Sequence, residues 1–320
     1  PVYKNLEKEF LRLADYIHFS DDQLGTYSMY IADLIVRCSI EIEALSKDLY
    51  CTLGGNMTPT DDQGNPRDLY FDTDCLDLLE QKWSLSKKQI VVSAINIYFS
   101  EERNRTLTPL HKAYKRGTSG SKWKQAYQAV KHDRKKTLKK ASIENLLHAL
   151  GALYILNLYY TDERTDIGRV YLSDHDFDNR AGSELFSAHY CRATGLSMQP
   201  HMDDSCITPS LGDELDKAIF IIKYDDKSFK EMHKNCCLDH KITAERFSKS
   251  QEIKKFLEDN PEYIGKTINE ICMAAGGVGL LTRIICLQNT MNEKSSRIEA
   301  VLNKHNGIYP ELLPLEDDNK

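Results

Sequence analysis

The sequence predicts a mainly α protein, a helical bundle followed by a smaller mixed α/β C-terminal region that ends in helices and an acidic tail. Three observations carry this. Apolar residues recur at spacings of three and four from Ile31 to Leu49. Residues 143–158 are apolar nearly all round, as in a helix at the centre of a core. Runs rich in Ile, Val, Phe and Tyr gather after residue 165.

Taken in order, residues 3–19 read as an amphipathic helix with Leu6, Phe10, Leu13 and Ile17 on one side. Ser20-Asp21-Asp22 offers N-caps for a helix from Gln23 to Thr52, which Gly54-Gly55-Asn56 ends. Residues 54–74 are a loop by their Gly, Pro, Asp, Asn and Thr content, Cys75–Trp83 a short helix and Gln89–Phe99 a strand. Pro109 and Gly117–Gly120 break the next stretch. Helices follow over 121–140 and, capped by Ser142, through Tyr160. Arg169–Leu172, Glu184–Tyr190 and Ala218–Tyr224 are strand-like, Arg192–Asp213 is loop-rich, and helices resume from Thr243 with a break at Asn260-Pro261. Ala274–Gly279 lacks the preceding strand of a dinucleotide fold, so tight helix packing is expected there. A wholly polar run from Thr161 to Asp166 sets an expected boundary, giving domains 1–165 and 166–320, with a disordered acidic tail from Leu313.

Composition narrows the class. The 320 residues hold 42 basic and 48 acidic side chains for a net charge of −6, with 41% hydrophobic and 28% charged residues. That is the balance of a globular domain, not of a disordered or collagen-like chain. No apolar run reaches the roughly 18–20 residues of a membrane span. The N-terminal residues show no apolar signal core, and the nine cysteines are odd in number and irregular in spacing. A reducing, cytoplasmic setting is therefore expected, with no disulfide framework and no membrane. Cys38, Cys51, Cys272 and Cys286 read as small hydrophobes in helices.

Charge is not spread evenly. Residues 111–140 contain eleven basic side chains and one acidic one, Asp133, so this segment is +10 inside an acidic chain. Such a concentration marks a polyanion site, with salt-dependent binding through released counterions. On a helix over 121–140, Trp123, Tyr127, Val130 and Leu138 share an inward side, and Arg134 falls with them. Lys124, Gln128, His132, Lys135 and Lys139 fall on a polar side. Lys136 adds to the same RNA-binding set. A neutral His132 imidazole there would suit general-base chemistry on RNA.

The run Trp123-Lys124-Gln125-Ala126-Tyr127-Gln128-Ala129-Val130-Lys131-His132-Asp133-Arg134, followed by Ala141 and Asn145–Leu153, resembles the "AYNxVKHxR" helix and alanine-rich partner of bacterial HEPN-like proteins. Ile40–Lys47 resembles the Glu-x3-Lys helix of that superfamily. The resemblance covers about residues 25–160 and leaves the C-terminal half unmatched. It implies a helical bundle that dimerises, and a metal-independent ribonuclease or RNA-binding protein of phage defence, toxin–antitoxin or stress systems, with no cofactor. The usual signature is an arginine and a histidine with four to six residues between them. His132 has no such arginine; Arg105 and His111 have the spacing, with Pro109 between them. In the catalytic form His132 or His111 would take the proton of a 2′-hydroxyl. Lys131, Arg134 or Arg105 would stabilise the phosphate, and Glu43 would orient a basic residue across the bundle. The alternative is a non-catalytic helical dimer that binds a nucleotide or a protein partner such as an antitoxin.

Residues 233–240 hold two His and two Cys, with His189, Cys191, His201 and Cys206 upstream. Their spacing does not match a zinc finger, so no metal is expected. His201-Met202-Asp203-Asp204 is a further loop candidate, and Trp83 and Trp123 read as core anchors.

Overall fold

The computed structural model describes residues 2–169, 177–194, 196–197, 208–209, 214–291, 296–305 and 307–309. Its first half runs α1 (Val2–Leu11), β1 (Phe19–Ser20), α2 (Met29–Thr52), α3 (Asp77–Trp83), β2 (Ile90–Val92), β3 (Ile97–Tyr98), α4 (Glu102–Arg105), β4 (Thr106–Leu107), α5 (Lys122–Thr137) and α6 (Ile143–Thr161). The second half adds β5 (Thr165–Arg169), β6 (Phe186–Ala188), β7 (Tyr190–Arg192), β8 (Leu196–Ser197), β9 (Thr208–Pro209) and β10 (Phe220–Tyr224). It ends with α7 (Asp226–Lys249), α8 (Gln251–Asp259), α9 (Ile268–Ile284), α10 (Gln288–Met291) and β11 (Arg297–Leu302). The protein is mainly α with small sheets, and strands occur in both halves.

The apolar α6 is the axis of the core. It packs against α1, α2 and α5, and Leu146, Leu147, Leu150, Leu153, Ile155 and Leu156 are buried. Its start is as expected: Ser142 Oγ accepts from Asn145 N at 3.3 Å. Gly151 lets α6 come down on its neighbours, since a Cβ there would lie 2.7 Å from both Ile90 Cδ1 and Pro109 Cγ. Trp83 stacks on Tyr159, whose hydroxyl donates to Asn303 O at 2.7 Å and ties α6 to the end of β11.

The core crosses the polar run at 161–166. Leu185, Phe186, Ala188, Ile219, Phe220 and Leu302 join the same cluster as the N-terminal helices. β6 pairs antiparallel with β2 to complete a sheet ordered β4-β2-β6. A second sheet is ordered β5-β11-β10-β7, with only β10 and β7 parallel. The buried Glu7 carboxylate on α1 accepts from the backbone N–H groups of Glu184 and Leu185 at 3.0 Å each, pinning the segment ahead of β6. α8 and α9 enclose a separate small core around Ile253, Ile271, Cys272, Leu280 and Ile284.

Several elements differ from the sequence expectation. α1 stops at Leu11 and continues only as a 3-10 turn, Arg12–Asp15, because Phe19 turns extended and pairs with Ile97. α2 starts at Met29 under Ser28, whose Oγ accepts from Ile31 N at 3.1 Å. The expected cap Asp21 is used elsewhere, accepting from Ser100 N and Asn104 Nδ2 at 2.8 and 2.7 Å. The strand over 89–99 is two short strands, with Ile95 between them almost fully exposed. Residues Phe71–Leu76 wind as a π-helical turn instead of a loop. α7 starts at Asp226, so 233–240 is helical. The Ala274–Gly279 run of α9 breaks at Gly277 (φ +66°) and leaves Val278 and Gly279 exposed, so tight helix packing is not formed there. Cys51 is exposed rather than packed, and no disulfide joins the described cysteines. Residues 170–172, His201–Asp204, Cys206 and the tail from Leu313 lie outside the described residues.

Candidate nucleic-acid interface

The basic segment is helical from Lys122 on, but α5 is not one straight rod. Asp133 has φ −146° and ψ +70°, which separates a first piece packed on the core from a short second piece. A 3-10 turn, Leu138–Lys140, finishes the second piece. Before the break, Trp123, Tyr127 and Val130 are buried and Gln128 is exposed as the helical spacing predicts, while Lys124 is not on the polar side. Trp123 Nε1 donates to Pro109 O at 2.9 Å, anchoring the head of α5. After the break Leu138 still packs on the core and Lys135 and Lys139 are exposed as expected, but Arg134 departs from the projection. Arg134 was expected to point inwards; it is half-exposed and donates to Asp33 Oδ1 of α2 at 2.8 Å.

Lys124 corrects the expected polar side. It is buried, and Nζ lies 3.0 Å from Asp72 Oδ2, 2.6 Å from Ala113 O and 2.8 Å from Lys115 O. Three acceptors meet three N–H donors, so this is a charged ammonium used for structure and not a surface contact. Burial works against the Asp72 carboxylate, but Lys124, Arg116 and the Thr73 N–H hold it below the usual range. Arg116 also sits over Tyr70, its guanidinium carbon 3.7 Å from the ring centre. Two of the eleven basic side chains, Lys124 and Arg116, are thus drawn to one aspartate by the π-helical turn.

The rest remain at the surface. His132, Lys131, Lys135, Lys139 and Lys140 are exposed, and Lys136 meets its own neighbour Asp133 at 3.5 Å. His132 stands among these cations and is not walled off. The Tyr127 phenol feels both the Glu43 and the Lys131 charge, with Lys131 Nζ 5.3 Å from its ring centre, and no ion pair joins Glu43 to Lys131 among the described residues. Burial first, then the Glu43 charge, raise that phenol above its ordinary value. The Arg105–His111 pair does not form one helix face. Arg105 ends α4, Thr106–Leu107 is strand, and His111 sits in the turn that follows. That turn meets the head of α5 at Trp123, while His132 is nine residues on, roughly 14 Å along the axis at 1.5 Å per residue. The proposed catalytic residues therefore divide between two places.

Sequence reasoning missed the aromatic half of the surface. The backbone of Tyr27 bridges to Ser142, and Ile143 N donates to Thr26 O at 3.0 Å. This sets the loop before α2 against the Lys139-Lys140 end of the basic segment. Tyr27, Met29 and Tyr30 are exposed there. Asp33, three residues after Tyr30, holds Arg134. The sequence signal was present: two tyrosines flank the cap Ser28 just ahead of the apolar stripe.

His233 lies 3.8 Å from Cys237 Sγ along α7, and no group of three metal-ligating side chains converges among the described residues. Asp239 is buried, accepts from Asn289 and Thr290, and is held down to about 2; burial opposes this, and the backbone and side-chain donors outweigh it. Lys88 is fully buried with Nζ 3.0 Å from His305 Nε2 and 3.2 Å from Asp216 O, and burial pushes it down to about 8. No helix among the described residues is long and apolar enough to cross a membrane. No family model, no curated protein and no solved structure matches the chain.

Proposed function

We propose that this chain is a HEPN-like RNA-binding protein that holds a single strand along the second half of α5 and the start of α2. The observation that carries the reading is the placement of exposed Lys135, Lys136, Lys139 and Lys140 beside exposed Tyr27 and Tyr30. Cations track a phosphate backbone, and aromatic faces accept unstacked bases in any sequence. Lysine-rich, kinked and open, the surface has the character of a strand groove and not of a catalytic cleft. The separation of Arg105 and His111 from His132 favours binding without cleavage, in a helical dimer. Any action on a bound 2′-hydroxyl would fall to exposed His132 and its chain neighbour Lys131, whose Nζ lies 5.3 Å from the Tyr127 ring centre.

The test uses labelled single-stranded RNA at several salt concentrations. Wild type should bind with an affinity that falls with salt at roughly −0.7 log units per phosphate contact. Replacing Lys135, Lys136, Lys139 and Lys140 with glutamate should abolish binding while the fold persists. Salt-independent or absent binding would end the reading. Incubation of RNA in EDTA with wild type, His132→Ala and His111→Ala decides whether cleavage accompanies binding.

A further inference from the structure

The 3-10 turn Arg12–Asp15 faces the start of α2 across an open depression of about 590 Å³, lined by Arg12, Leu13, Asp15, Tyr16 and Tyr30. Leu13 is buried and gives an apolar floor. The Tyr30 ring is a fixed wall. Its hydroxyl donates to Glu9 Oε2 at 3.1 Å, and Glu9 is gripped by both Arg37 nitrogens at 2.7 and 2.9 Å. Tyr16 is 85% exposed, so its ring lies open beside this wall. Arg12 makes no ion pair among the described residues, unlike Arg37, which grips Glu9. The exposed Asp15 carboxylate is the remaining polar group.

This set of groups has one chemical complement. Two phenol rings over an apolar floor favour a flat aromatic ring. A free guanidinium favours a phosphate. A carboxylate can only accept, so it favours a ring edge that carries N–H donors. Guanine presents two neighbouring N–H donors on its pairing edge, and adenine presents one. The depression also adjoins the basic segment, because Tyr30 lines it and Asp33, on the same face of α2, holds Arg134.

We propose that this depression is a nucleobase pocket that takes a guanine nucleotide, with the ring against Tyr30 and Tyr16, the phosphate on Arg12 and the pairing edge on Asp15. That the nucleotide belongs to an RNA strand on α5 rests on the reading above; the pocket itself does not.

The experiment is calorimetric titration of the whole chain with guanosine, adenosine, cytidine and uridine monophosphates, followed by the RNA assay. The guanine nucleotide should bind about tenfold more tightly than the others, and Tyr16→Ala should weaken it by about tenfold. Asp15→Asn should remove the preference for guanine while keeping binding. Arg12→Ala should weaken the nucleotide but leave guanosine unchanged. Tyr16, Asp15 and Arg12 are exposed, so these variants keep the fold, which circular dichroism checks. No heat with any nucleotide at millimolar concentration, or binding indifferent to Tyr16→Ala and Asp15→Asn, overturns the pocket. If RNA binds through the α5 lysines while the pocket variants change nothing, the pocket alone fails. If the guanine nucleotide binds and RNA does not, the RNA reading alone fails.

Discussion

Arg134 on α5 and Asp33 on α2 form an ion pair at 2.8 Å, so a cation of the basic segment is shared with the helix that carries Tyr30. Asp33 is more than half exposed, and a pair of this kind contributes little to stability. Asp33→Ala should therefore leave thermal unfolding nearly unchanged. It should free one guanidinium for phosphate, raise RNA affinity a few-fold and steepen the salt dependence by about 0.7. Fluorescence anisotropy across salt concentrations measures both.

The buried Lys124–Asp72 pair behaves in the opposite way. Lys124→Met strands a carboxylate whose remaining cation, Arg116, is half-exposed, and should cost about 3 kcal/mol in urea unfolding. Adding Asp72→Leu should recover most of that loss, because the charge left behind is then removed. RNA binding, corrected for folded fraction, should be unchanged in both.

Asp239 sets an acid limit. Its folded-state value is about 2 against an ordinary 3.8. The stabilisation is complete above pH 4 and is lost as pH falls through that window, amounting to about 2 kcal/mol. Asp239→Asn should be less stable at pH 6 and should show a flatter stability profile between pH 4 and 2, read by chemical denaturation.

Lys88 acts at the alkaline end. Its folded-state value of about 8 lies below the ordinary 10.5, so between these the unfolded chain binds more protons. Stability from this residue therefore rises with pH across that window, by up to about 3 kcal/mol. Comparison of wild type with Lys88→Met at pH 7, 9 and 10 isolates it: the gap between them should shift in favour of wild type as pH increases.

The helices with uninterrupted patterns were legible from sequence. α6 announces itself by Ser142 and an apolar run, and Trp123, Tyr127 and Val130 mark the inner face of α5 by spacing alone. What escaped depended on distant partners. Lys124 is polar by pattern and buried because Asp72, fifty-two residues earlier, meets it inside a π-helical turn. Asp21 has the chemistry of a cap, yet Ser100 and Asn104 claim its carboxylate. A helical wheel carries phase through every residue, so one non-helical pair of angles at Asp133 was enough to misplace Arg134. The cations were legible by count; the tyrosines beside them needed the loop before α2 to be set against the end of α5.

Gly151 has a reach that its own size does not suggest. The missing methyl group lets α6 touch Pro109, and Pro109 O is the acceptor that holds Trp123 at the head of α5. A single carbon placed in the deepest layer would press outward through that turn and tilt the helix whose far end carries the surface lysines. A buried glycine thus bears on how charges at the surface are aimed.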